Sequence, residues 1–398
     1  MVDLSWEGLF TEADKAYLSR IRRQIHEHPE LGYQEFKTSR LIADELRSFG
    51  LTPKTQIAET GVVAVLEGAN PGPVIGFRAD MDALPIEEKT QVSFASKHTN
   101  QMHACGHDTH VAMLLTAARI LTRHRDQLSG SIKFIFQPAE EMLGGAKKMI
   151  EEGCLNDPPV QAIYGFHVWP DLPSGKIGLR KNALMASIDA FSIQLIGQSG
   201  HGAMPQQGRD ALVGAAHLII ALQTITSREI SPLDSCVVAI GKLNSGNESN
   251  VIAAKSVLEG NIRTLNPQTR ARAKDALERI TKGIAETFRL QANIHYSSAF
   301  PVTVNHEDHI DFVQGVIAET LGAEAPEYLE YPSMASEDFS FFLEQVPGCY
   351  MFLGVNDGAG GRYKLHTPEF LPNERDLELG VQIYLGIAKN ILSVPIKK

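Results

Sequence analysis

The sequence predicts an α/β protein of two domains: a mixed, mostly parallel sheet with flanking helices, and a smaller α+β domain inserted into it. Three observations carry this. The chain has 398 residues, more than one ordinary hydrophobic core accommodates. Short apolar runs alternate with helical patterns as far as Pro173, as in a parallel sheet with crossover helices. From residue 186 to 299 the order becomes β-α-β-β-α-β, the split arrangement of a ferredoxin-like domain, and from residue 300 the first style returns. The expected organisation is one domain in two segments, 1–185 and 300–398, interrupted by a domain at 186–299.

Each element has its own signal. Asp14–Glu27 places Leu18, Ile21 and Ile25 on one helical stripe. Phe36–Phe49 repeats the pattern and stops at Gly50. Gly61–Leu66 and Val74–Arg78 read as short buried strands, His110–Arg123 as a helix, Ser131–Phe136 as a strand, Gly145–Glu152 as a helix and Ala162–Phe166 as a strand. In the insert, Asp189–Ile196, Cys236–Leu243, Ser256–Thr264 and Ala292–Ser298 read as strands, and Asp210–Arg228 and Gln268–Phe288 as helices. Helices near His309–Leu321 and Asp338–Gln345, a strand at Cys349–Leu353 and a helix at Arg375–Leu392 complete the chain.

Composition narrows the function. Hydrophobic residues make up 43% and charged residues 21%, as in soluble globular proteins. The net charge of −10 and the lack of a long basic run argue against nucleic acid as a partner. The opening MVDLSWEGLF lacks the basic-then-apolar pattern of a signal peptide. Val111–Leu121 and Ala211–Ile225, the longest apolar runs, are expected to be buried helices rather than membrane spans. Cys105, Cys154, Cys236 and Cys349 are too few and scattered for a disulfide framework, so a cytoplasmic location is expected.

Four short segments carry chemistry. Arg78-Ala-Asp-Met-Asp82 and Gln137-Pro-Ala-Glu-Glu141 each follow a strand, Gly165-Phe-His-Val168 ends one, and His103-Ala-Cys-Gly-His-Asp108 precedes a helix. Sites in α/β sheets form at the carboxyl ends of strands, where such segments converge. A fifth candidate, Lys364-Leu-His366, lies in the last loop. Together they offer thiolate, imidazole and carboxylate, the side chains that bind Zn²⁺ and similar metals. Cys105 and His107 can reach one site if the chain between them is extended, and Gly106 permits unusual angles there. The adjacent Glu140 and Glu141 repel unless a cation compensates them; one can then hold the metal while the other takes a proton from water. Taken singly, each group is ordinary: a buried cysteine is mostly a small hydrophobe, and Glu-Glu pairs are mostly solvated. Their joint placement is what singles them out.

With these segments the chain resembles the aminoacylase and carboxypeptidase family of two-metal hydrolases. It is most similar to the branch with N-acyl-amino-acid amidohydrolases, hippurate hydrolase and plant indole-acetyl-amino-acid hydrolases. The resemblance runs from Arg23-Gln-Ile-His-Glu-His-Pro-Glu-Leu31 through Phe77-Arg-Ala-Asp-Met-Asp-Ala-Leu-Pro85, Met102-His-Ala-Cys-Gly-His-Asp108 and Gln137-Pro-Ala-Glu-Glu141. It continues in Gly200-His-Gly-Ala-Met-Pro205 and Ser336-Glu-Asp-Phe339. It implies a zinc-peptidase-like catalytic domain, with the insert serving as dimerisation and lid domain. It implies metal ligands at Cys105, His107, Glu141, His167 and His366, with Glu140 as general base for a metal-bridging water. Asp82 is similar to an outer carboxylate that orients this machinery, and His201 to a histidine that stabilises the tetrahedral oxyanion, commonly across a dimer interface. Asn250 and Arg263 resemble contacts for the substrate's free carboxylate. Ala253 departs from the family pattern, which has proline there.

The implied activity is hydrolysis of the amide bond of N-acyl amino acids by a homodimer, a tetramer being compatible. Two divalent metals per subunit are implied, Zn²⁺ or Mn²⁺, with Co²⁺ and Ni²⁺ as further candidates. A carboxypeptidase or dipeptidase of the same family is the nearest rival. A zinc deaminase is excluded, since no His-x-Glu with Pro-Cys-x-x-Cys occurs. His26 and His28 are expected to be structural, His103 and His110 to stand behind the metal segment, and His217 to be a packed core residue.

Overall fold

The computed structural model describes residues 8–141 and 144–392. In chain order its strands are β1 (Lys54–Ile57), β2 (Gly61–Glu67), β3 (Asn70–Asp80), β4 (Ser129–Gln137), β5 (Ala162–Pro173), β6 (Ile177–Leu179), β7 (Asn182–Met185), β8 (Ser187–Ile196), β9 (Cys236–Ser245), β10 (Lys255–Thr264), β11 (Gln291–Phe300), β12 (Thr303–Asn305), β13 (Pro326–Tyr328) and β14 (Gly348–Asn356). Its α-helices are α1 (Glu12–His26), α2 (Phe36–Ser48), α3 (His107–Arg123), α4 (Gly145–Glu151), α5 (Ala211–Leu222), α6 (Pro267–Thr287), α7 (Glu307–Leu321), α8 (Ser340–Gln345) and α9 (Glu374–Leu392). The chain forms two compact units. One comprises Met1–Leu184, Val304–Tyr331 and Phe341–Lys398; the other comprises Met185–Thr303 and Pro332–Ser340.

The first unit is built on an eight-stranded sheet of order β1-β2-β4-β3-β5-β14-β6-β13. Its middle, β4-β3-β5-β14, is parallel, and β2 and β6 run antiparallel to their inner neighbours. The central strands are buried on both faces, which accounts for their unbroken apolar runs, such as Phe134-Ile-Phe136. Helix α3 is buried along nearly its whole length, from His107 to Leu121, against β3, α1 and α9. Helix α1 starts in a reciprocal cap between Thr11 and Asp14 and buries Leu18, Ile21 and Ile25, the stripe its spacing predicts. Register matters for the site. Asp80 lies beside Gln137, and Arg78 beside Gly165, so the segments leaving β3 and β4 meet the middle of β5 at one edge.

The second unit is an antiparallel sheet of order β11-β8-β10-β9. Phe191, Ile193 and Leu195 of β8 alternate into a core with Leu258 and Ile262 of β10, closed by Leu218 and Leu222 of α5 and Leu277 of α6. Asp189 is buried and bonded by Arg270 of α6 and by the Tyr296 hydroxyl.

Two expectations need correction here. The apolar run Ala211–Ile225 is not a buried helix. Its α-helix ends at Leu222 and gives way to a π turn at Ile225–Glu229. Only the Ala211, Gly214, Ala215, Leu218 and Leu222 face packs on the sheet, whereas Leu212 and Val213 are exposed and Ile220 is 70% exposed. His217 lies on that open face, with its ring 4.9 Å from Phe288, rather than in the core. The helix is apolar on both faces, so hydrophobicity alone could not tell which one is covered.

Candidate metal centre

The site lies in the first unit and starts at a single glycine. Gly106 precedes α3 with φ +90, and a Cβ added there would stand 2.5 Å from Val168 Cγ2. No other residue tolerates both demands. The turn brings Cys105 and His107 into one cluster with His167 from β5, their ligand atoms all within 4.8 Å of one another. Cys105, Glu141 and His366 form a second such group, and His107, Glu140 and Glu141 a third. The groups share Cys105, His107 and Glu141, so all five sequence-derived ligands and Glu140 belong to one continuous constellation. Cys105 Sγ is 3.3 Å from both His167 Nε2 and His366 Nε2, and His366 Nε2 is 3.1 Å from a Glu141 oxygen. His366 has φ +62, and its N–H donates to Ala104 O, which ties the late loop to the cysteine segment. It is also the open side of the cluster, with its side chain 52% exposed.

Hydrogen bonding sets the tautomers. His107 Nδ1 donates to the main-chain oxygen of Asp82 at 2.9 Å, and His167 Nδ1 donates to Val168 O at 2.7 Å. A carbonyl only accepts, so both rings carry a proton on Nδ1 and have only Nε2 left to offer a metal. His107 Nε2 is buried and, among the described residues, makes no hydrogen bond, the arrangement of a ligand nitrogen. Asp82 joins two of the segments: one carboxylate oxygen lies 3.2 Å from His107 Nδ1, and the other accepts the Glu141 N–H at 3.0 Å. The turn before Glu140 is left-handed, with Ala139 at φ +53.

Charge makes the same point. Burial opposes a proton on His107, but the Asp80, Asp82 and Glu141 carboxylates outweigh it and raise the imidazole to about 10. Burial and the nearby Glu141 and Glu140 push the Cys105 thiol well above its usual range. Burial holds His167 well below its usual value, and so neutral. A buried centre with this surplus of negative charge and with both soft and hard donors fits a divalent cation.

Behind this centre stand Arg78 and Asp80, from the segment that ends at Asp82, and His110, which the sequence places behind the metal segment. Arg78 donates to Gln137 Oε1 at 2.8 Å and to Asp80 at 2.6 Å, all fully buried. Asp80 accepts from His110 Nδ1 at 2.5 Å, and His110 Nε2 accepts the Val168 N–H at 3.0 Å. Burial would raise the Asp80 carboxyl, yet Arg78 and the adjacent imidazoles hold it well below the usual range. The chain Arg78–Asp80–His110 therefore anchors the residue whose carbonyl orients His167. Two aspartates spaced two apart at the end of a strand was the available signal. Asp80→Asn removes the charged acceptor shared by Arg78 and His110, so it is expected to cost roughly 1–3 kcal/mol of stability, measurable as a lower urea midpoint. His103 is also buried, with no hydrogen bond at either ring nitrogen among the described residues, and burial pushes it down to about 3.

The other predicted residues belong to the second unit. The His201 loop is laced to the Asn250 loop: Gly202 N–H donates to Asn250 O, Ile252 N–H donates to Gly200 O, and His201 bridges Val251. Ala203 N–H donates to Nδ1 of His201, an exposed residue. Arg263 is not with them. It sits near the far end of β10, donating to Met334 O and Ser336 Oγ. Lys255, at the near end of β10, pairs with Ile196, whereas Arg263 pairs with Ile188. Eight strand residues put roughly 25 Å between the two ends.

Comparison with known proteins places the chain in a family. Residues 76–390 match the model of Peptidase family M20/M25/M40, and the chain belongs to that family of hydrolases. It is 40% identical to the N-acetyl-L-cysteine deacetylase of Bacillus subtilis, covering 94% of this chain and 87% of the relative. It is likewise 40% identical to the hippurate hydrolase of Campylobacter jejuni (94% and 96% covered) and to thermostable carboxypeptidase 2 of Saccharolobus solfataricus (94% of each). A dinuclear metal-binding peptidase of Bacillus subtilis from the same family superposes with a TM-score of 0.82 at 33% identity, covering 97% of this chain and all of the other. The fold is thus that of the family, and a divalent-metal site agrees with the donor cluster.

Proposed function

We propose that the protein hydrolyses the amide bond of N-acyl amino acids with the help of two divalent metal ions. The observation that carries this is the Glu140–Glu141 pair inside the Cys105, His107, His167 and His366 cluster. One carboxylate can hold and neutralise a cation while the second serves for proton transfer. The deacetylase and hippurate hydrolase relatives, each covered over most of its length, support the acyl-amino-acid substrate class.

In this reading Cys105, His107, Glu141, His167 and His366 hold the metals, which are Zn²⁺ or Mn²⁺, with Co²⁺ and Ni²⁺ as alternatives. When bound, such a pair polarises the scissile carbonyl and makes water acidic enough to attack near neutral pH. Glu140 takes the proton from the attacking water and delivers it to the leaving amine. Asp82 keeps the His107 lone pair aimed by holding its Nδ1–H side, and fixes the Glu141 main chain. His201 donates to the tetrahedral oxygen as charge develops there. Arg263 and Asn250 bind the free carboxylate of the amino acid. The unpaired cysteines and a thiolate ligand fit a reducing compartment such as the cytoplasm.

The second unit supports a homodimer. His201 and Asn250 stand at one end of the sheet and Arg263 at the other, so one small substrate cannot touch all three from a single copy. Two copies resolve this if one supplies Arg263 and its partner supplies His201 and Asn250. Strand β9 is an edge with Val237 and Leu243 exposed, and Leu212, Val213 and Ile220 of α5 are open apolar surface in the same unit, which suits association. If His201 acts in trans, each single variant His201→Ala and Glu140→Gln is nearly inactive. Mixing them should return a fraction of wild-type activity, through dimers holding one intact site. No recovery despite demonstrated subunit exchange would contradict the trans assignment.

A carboxypeptidase reading has the Saccharolobus relative behind it. The metal chemistry is shared, so substrate choice is what separates the two.

A further inference from the structure

Glu35 is fully buried, immediately before α2, in a part of the sequence with no assigned role. Among the described residues no basic side chain pairs with it. Burial raises its carboxyl to about 7, helped by the Asp82 carboxylate nearby. A buried carboxyl without a cation is costly, so its remaining contacts matter. There are two from outside its own helix turn. Thr60 Oγ1 donates to one oxygen at 2.6 Å, and the Ala139 N–H donates to the other at 2.9 Å.

Ala139 is the residue that needs holding. It is buried, it precedes Glu140, and its φ of +53 costs a non-glycine residue about 1 kcal/mol or more. Such a conformation persists only where the surroundings impose it. The turn is gripped at two main-chain donors, each by a buried carboxylate: Asp82 takes the Glu141 N–H, and Glu35 takes the Ala139 N–H. Glu140 stands between the two grips.

We propose that Glu35 is a positioning residue for amide hydrolysis, holding the Ala139 N–H so that the left-handed turn presents Glu140 to the reacting water. This rests on the reading of Glu140 as the proton-transfer group. Displacements of about 1 Å in such a group cost on the order of 100-fold in rate.

The test uses the full-length, metal-loaded protein, with kcat, KM and metal content per subunit measured for each variant. Glu35→Ala is expected to lower kcat by about 10- to 100-fold with little change in KM and unaltered metal content. Glu35→Gln should restore most of the rate, because its amide oxygen still accepts from Ala139 and its amide nitrogen can donate to Thr60. Adding Ala139→Gly to Glu35→Ala should recover part of the loss, since glycine adopts that φ without strain. If Glu35→Ala does not fold, Glu35→Asp keeps the charge but draws back from the Ala139 N–H, and the same fall in kcat is expected. A kcat within twofold of wild type in Glu35→Ala or Glu35→Asp overturns the proposal. So does a loss of rate that merely follows a loss of metal. Glu140→Gln is run alongside: if it stays active, the reading of Glu140 fails, whereas an inactive Glu140→Gln beside a fully active Glu35→Ala removes only the role of Glu35.

Discussion

Glu140→Gln is expected to bind as much metal as the wild type and to lose roughly 10²–10⁴-fold in kcat. The substitution keeps the size of the side chain and removes its ability to carry a proton. Glu140 is only 6% exposed and its carboxylate lies within 4.8 Å of the His107 and Glu141 donor atoms, so bulk water cannot readily replace it as a base. Metal content measured by elemental analysis separates this from loss of the centre. A variant with full metal and near-normal turnover would remove Glu140 from the chemistry.

The second large effect concerns the metals. Cys105 belongs to two of the donor groups and is 3.3 Å from two imidazoles, so Cys105→Ala removes a donor that both groups share. Its metal affinity should fall by more than the 10–100-fold typical of losing an outer hydrogen-bond partner, and activity should fall with it. A chelator should likewise abolish wild-type activity, with recovery on adding Zn²⁺ or Mn²⁺. The sign of the pH dependence follows from the ligands. The surrounding carboxylates raise His107 to about 10, and Cys105 lies well above its ordinary range, so both hold protons that a cation must displace. Apparent metal affinity should therefore weaken as pH falls. Affinity that is flat with pH, measured by competition with a chelator of known pH response, would contradict these two ligands.

Much of this was legible in the sequence because strong local signals coincide with the elements. The apolar runs of β3, β4 and β5 mark the buried parallel strands, and the alternation of Phe191, Ile193 and Leu195 marks a strand covered on one face. Ligand-type residues at strand ends pointed to one site, and the structure brings Cys105, His107, Glu141, His167 and His366 together. What escaped has physical causes. The three-residue strands β6 and β13 are too short for a periodic signal. Pro332–Ser340 joins the second unit through tertiary contacts, which leave no local trace. His110 stands behind the metal segment as expected, but the roles of Arg78 and Asp80 within their segment, and of Glu35, come from partners such as Gln137, His110 and Ala139 that lie 30 to 104 residues away. The open apolar face of α5 looks like core in sequence, because a surface suited to a partner and a surface suited to a core have the same composition.

The central claim is metal-dependent hydrolysis of an acyl amino acid, and amine release from a small panel tests it most directly. The panel is N-acetyl-methionine, hippurate, an indole-acetyl amino acid and a dipeptide, each run with the metal-replete protein and again after chelation. The account predicts cleavage of at least one acyl amino acid, abolished by the chelator and restored by metal. Cleavage of the dipeptide alone, or cleavage of an acyl amino acid that survives complete metal removal, would contradict it.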